Sequence, residues 1–245
     1  MNNSIATMMA VLATCLLPSA TQASPVWSES QPTVLACGAT EFTQMSSLAG
    51  TLASRQCDGA YVNGIGSSID EAVQNLNGFM AVRESGLGCT TDVHGVETGS
   101  YGIGVYATFV CNGRPITAVG GSVAISANNS LAIATEMAAS GSYCSAPKQG
   151  AYYPELHGFR FSYDCGKAGT TWRVAGLGSS IDDANKMVPR MQRYTAQNQS
   201  SCTFDKAELN GVVFNVVLTC NNVTRYGYGS SITSAANDAL LQAGV

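Results

Sequence analysis

The stretch from Gly64 to Ala72, GIGSSIDEA, joins two glycines, two serines and an acidic pair at what reads as the start of a helix. Free backbone N–H groups at such a start attract anions, so the stretch could cradle a phosphate or present a serine. It is not alone. GLGSSIDDA follows from Gly176 and GYGSSITSA from Gly227, and an altered version, Gly120-Gly121-Ser122, lies between the first stretch and Gly176. A feature carried by every copy of a unit is most simply what the unit needs in order to fold. In that role Gly64 and Gly66 let the chain turn sharply from strand to helix. Ser68 caps the helix, and Glu71 caps back three residues later. Ser180 and Asp183 repeat the arrangement, whereas Ser231 can cap but Ser234 brings no acid to the third position. Asp70-Glu71 and Asp182-Asp183 then complement the helix dipole. Neighbours at i and i+1 do not face a common cleft, so these pairs are read as caps and not as general acid and base.

Other chemistry is sparse. The two histidines, His94 and His157, stand 63 residues apart, and neither H-E-x-x-H nor G-x-S-x-G occurs. No catalytic residue, metal ligand or cofactor is assigned. A pair of carboxylates brought together from distant positions stays open, which makes a secreted hydrolase the alternative reading.

The elements that must position these residues are announced by cysteines. Cys37, Cys57, Cys89, Cys111, Cys144, Cys165, Cys202 and Cys220 follow Cys15, which lies in an apolar leader. Cys57, Cys111, Cys165 and Cys220 are spaced by 54, 54 and 55 residues, and the cysteines that precede each of them step by 52, 55 and 58. Around each second cysteine the order is a β-rich run, a polar turn, another β-rich run, the Gly-Ser turn and an alanine-bearing helical stretch. Asp58-Gly59, Asn112-Gly113 and Asn221-Asn222 suit tight hairpins. The expected fold is α+β: four tandem disulfide-stapled units of two or three antiparallel strands plus one helix, packed as two pairs, residues 37–143 and 144–245. Pairing within units gives Cys37–Cys57, Cys89–Cys111, Cys144–Cys165 and Cys202–Cys220. A rival register links each unit to the next, Cys57–Cys89, Cys111–Cys144 and Cys165–Cys202, and leaves Cys37 for Cys220.

Residues 1–23 read as a signal peptide with cleavage after Ala23, followed by an N-terminal segment, 24–36. A rival makes Cys15 a lipidated residue, although Thr14 stands where Gly or Ala is expected. The apolar run is too short to span a bilayer, and no later stretch approaches the required length. Location is therefore read as secreted or periplasmic, which suits a disulfide framework. Charged residues make up only 11% of the chain and the net charge is −4, which argues against nucleic acid as a partner. Asn128, Asn198 and Asn222 sit in N-x-Ser/Thr sequons.

Function is sought where the units differ. The third carries extra material, KQGAYYPELHGF, which places Tyr152, Tyr153 and His157 close together on a loop suited to protein or sugar contacts. The competing reading has the tyrosines cover the sheet. Trp172 is expected in the core. Lys186, Arg190 and Arg193 form a basic stripe at i, i+4 and i+7 on the third helix, which Pro189 is expected to kink. That stripe is either a solvated face or a dock for the acidic first half, where residues 24–144 carry −6 against +2 for 145–245. The reading is an exported, non-catalytic binding protein for a protein or envelope glycan, in one form an inhibitor of a secreted enzyme.

Overall fold

Asp58-Gly59, Asn112-Gly113 and Asn221-Asn222 all take positive φ at both positions, the backbone of a two-residue hairpin turn. A fourth turn of this kind, Ala168-Gly169, puts an alanine at φ 50°. The computed structural model describes residues 36–45, 50–90, 104–145, 147 and 149–245, all within one compact unit. These residues form a mixed α+β fold with four α-helices, and among them no helix is long and apolar enough to cross a membrane. His94, Cys15 and the leader lie outside the described residues.

Strands β1 (Cys37–Met45), β2 (Gly50–Cys57) and β3 (Ala60–Gly66) form one antiparallel sheet, followed by α1 (Ile69–Glu84). A second sheet holds β4 (Cys89–Thr90), β5 (Val105–Cys111) and β6 (Arg114–Gly120), followed by α2 (Val123–Ser140). The third sheet is larger. It contains β7 (Tyr143–Cys144), β8 (Gln149–Tyr153), β9 (Gly158–Lys167), β10 (Thr170–Gly178), β11 (Cys202–Asn210), β12 (Val213–Cys220) and β13 (Val223–Gly229). Helix α3 (Ile181–Asn198) follows β10, running on through Pro189, and α4 (Ile232–Ala243) follows β13. Antiparallel pairing holds within the sheets except where β10 meets β11, a parallel contact made at Val174 and Cys202 alone.

Each disulfide joins residues directly opposite in an antiparallel pair: Cys37–Cys57, Cys89–Cys111, Cys144–Cys165 and Cys202–Cys220. Sequence separations of 18 to 22 residues give each bridge about 3 kcal/mol through the unfolded chain. Four such bonds fit an oxidising compartment.

Each helix lies across the two strands that precede it, and one apolar core runs through all four helix–strand contacts. Leu76, Phe79, Phe109, Ile116 and Phe161 are fully buried, each contributing about 1.5–3 kcal/mol. Phe79 of α1 stacks on Phe109 of β5 with ring centroids 4.1 Å apart. Tyr163 is also fully buried; its hydroxyl donates to Asn185 Oδ1 at 2.5 Å, and burial pushes its pKa far above the ordinary tyrosine value.

The glycines before each helix serve closeness and not, as the sequence suggested, a sharp turn. Neither Gly64 nor Gly176 has positive φ. A Cβ on Gly64 would stand 2.1 Å from Leu76 N, and one on Gly176 would stand 1.7 Å from Ala184 O. The helix backbone rests directly on the strand, and any side chain there would lift it off.

Candidate binding site

The Gly-Ser turns spend their donors within the fold. Ser68 Oγ accepts from Glu71 N at 3.2 Å, and the Glu71 carboxylate accepts from Ser67 N at 2.8 Å. Ser180 and Ser231 cap α3 and α4 in the same way. Contrary to the expectation that only an acid could close the box, the Ser234 hydroxyl accepts from Ser231 N at 3.0 Å. Neighbouring helices supply further partners. Gly121 N at the start of α2 donates to Asp182 of α3 at 3.3 Å, and Ser179 N at the start of α3 donates to Thr233 of α4 at 2.7 Å. The groups an anion would need are thus occupied by side chains of the same molecule.

The basic stripe divides. Arg193 binds Glu136 of α2 through two guanidinium nitrogens, at 2.7 and 3.0 Å, and this hydrogen bonding raises the arginine's pKa. The Glu136 side chain is 4% exposed and that of Arg193 is 64% exposed, so the arginine covers a buried carboxylate that belongs to the acidic first half. Arg190 reaches Asn237 of α4 at 3.2 Å and the carbonyl of Val245 at 2.9 Å. Lys186 is exposed. Trp172 is buried, 4% exposed.

The extra material of the third segment becomes β8, hydrogen-bonded along β9, and a 3-10 turn, Pro154–Leu156, closed by His157 at φ 45°. Alternation along the strand separates the tyrosines. Tyr152 is 43% exposed and tilts over Phe159, ring centroids 4.9 Å apart. Tyr153 turns inward against the core, Leu156 is buried and His157 is exposed.

Tyr153 and Leu156 wall a cavity of about 230 Å³. Arg160 of β9 and Leu177 of β10 continue that wall, and Phe204, Asp205, Lys206 and Ala207 of β11 stand opposite. The cavity exists because β10 and β11 touch at one parallel bridge and then part, while a bulge between Phe204 and Lys206 bends β11. Two of its charges are engaged: Lys206 pairs with Glu208, and Asp205 accepts from Thr203 Oγ1 at 3.1 Å. Arg160 differs: its Nε is shielded from solvent and has no hydrogen-bond partner among the described residues. Sequence reading found Tyr153 but missed Arg160 and the β11 residues. The available signal was an arginine inside the apolar run GFRFSY.

Comparison with protein-family models gives no match, and comparison with curated proteins gives none either.

Proposed function

We propose that the chain is an exported, non-catalytic binding protein that recognises a protein or an envelope glycan through the loops in which its four cysteine-bearing segments differ. An inhibitor of a secreted enzyme is one form of that role. On this reading the segments are four tandem units packed as two pairs behind a signal peptide, and the protein works in the periplasm or outside the cell.

The observation that carries the proposal is the third-segment insertion. It sets Tyr152 out on the surface and uses Tyr153 and Leu156 to wall a cavity in which Arg160 Nε has no partner among the described residues. An exposed aromatic side chain and a cavity with a few polar groups suit recognition.

Several of the described carboxylates are engaged in the fold. Asp164 binds Arg173, Glu136 binds Arg193 and Glu208 binds Lys206. Asp182 accepts from Gly121 N, and Asp238 accepts from Tyr228 N at 2.9 Å. This favours binding over catalysis.

The test is to immobilise the mature, oxidised protein and a Tyr152→Ser variant and expose both to secreted and envelope fractions. The proposal expects a partner retained by the first and lost by the second. Equal retention, or turnover of an envelope polymer by the protein, would contradict it.

A further inference from the structure

We propose that the cavity between β10 and β11 is a subsite for one acidic sugar, a hexuronate unit of an anionic polysaccharide. The inference rests on the reading of the chain as a binding protein and adds the chemical class of its ligand.

Arg160 supplies the first reason. A guanidinium gains most from a carboxylate that accepts two parallel N–H bonds, and Nε forms one arm of that fork. Here Nε is shielded from solvent and meets no acceptor among the described residues. Leaving such a donor unmade is costly, and a bound carboxylate would remove the cost.

The remaining walls select a sugar. Leu156, Leu177 and Phe204 offer an apolar surface to the C–H face of a ring, while Tyr153 and Asp205 offer groups that sugar hydroxyls can bond. Asp205 keeps acceptor capacity beyond its single bond from Thr203. An acidic peptide brings a carboxylate but no ring whose C–H face these apolar walls would cover. Size points the same way. At about 230 Å³ the cavity is below the roughly 300–1,000 Å³ of sites for drug-sized ligands, so it takes one ring of a chain whose other rings pass outside. Tyr152, on the opposite face of β8 from Tyr153, is not part of this subsite.

Calorimetric titration of the mature, oxidised protein with trigalacturonate tests this, with neutral maltotriose and an Asp-containing tripeptide as controls. Trigalacturonate is expected to bind, more weakly as salt rises, and the controls are not. Arg160→Gln is expected to weaken binding about tenfold or more, with Arg160→Lys recovering part of the loss. Ala207→Phe, which fills the cavity and leaves Arg160 in place, is expected to abolish binding. An unchanged melting temperature verifies that each variant is folded. No binding of trigalacturonate, equal binding by Arg160→Gln, or preference for the tripeptide would overturn the assignment. If the Tyr152→Ser variant still loses its partner in that event, only the ligand class falls.

Discussion

The Gly-Ser turns and the β10–β11 cavity are opposite in how they treat polar groups. At the turns, donors that could receive a ligand meet caps and neighbouring side chains of the same fold. In the cavity Arg160 holds a sheltered Nε with no partner among the described residues. The first pattern is what stability requires, and the second is what stability alone would remove. The difference separates residues that build the fold from residues held ready for something outside it.

Variants can break that comparison, beginning with the largest effect. Replacing Cys144 and Cys165 by Ser removes about 3 kcal/mol and lowers the melting temperature by about 6–12 °C. It also frees the edge of β9 beside the insertion, so binding falls with it. Replacing Cys37 and Cys57 should cost a similar amount of stability and leave binding in place. Thermal melts with a parallel binding assay check both, and equal binding losses would erase the distinction.

Gly176→Ala drives a Cβ into the α3 backbone and should cost about 2–3 kcal/mol in denaturant unfolding. Gly121→Ala, with open space around it, should cost far less. Ser68→Ala should cost about 1 kcal/mol as a lost cap while binding stays intact. Smallest in stability, and the sharpest contrast, is Arg160→Met. Removing a half-buried cation whose Nε has no partner among the described residues should leave stability within about 0.5 kcal/mol or raise it, while binding is lost.

Local rules made much of this fold legible. Cysteine spacing and the Asp-Gly and Asn-Gly turns mark hairpins whose register then sets each bridge, and the Ser caps follow from residues three apart. Ala168 escaped because alanine seldom takes positive φ, and Ser234 because a hydroxyl replaced the expected acid. The glycines were found but given the wrong reason, since helix-to-strand closeness is a tertiary property. Tyr152 and Tyr153 were grouped although adjacent strand residues point to opposite faces. Arg160 and the β11 wall were not legible at all. They meet only because two parallel strands touch at a single bridge and then diverge, and no local pattern encodes that distance.

One side-by-side measurement addresses the central claim, that recognition resides in the cavity and insertion and not in the repeated turns. Binding of labelled envelope fractions is compared between Tyr152→Ser with Arg160→Gln and the capping pair Ser68→Ala with Ser180→Ala. The account predicts that the first variant keeps its melting temperature and loses binding, while the second loses stability and keeps binding. The reverse assignment, or loss of binding in both at unchanged stability, would contradict it.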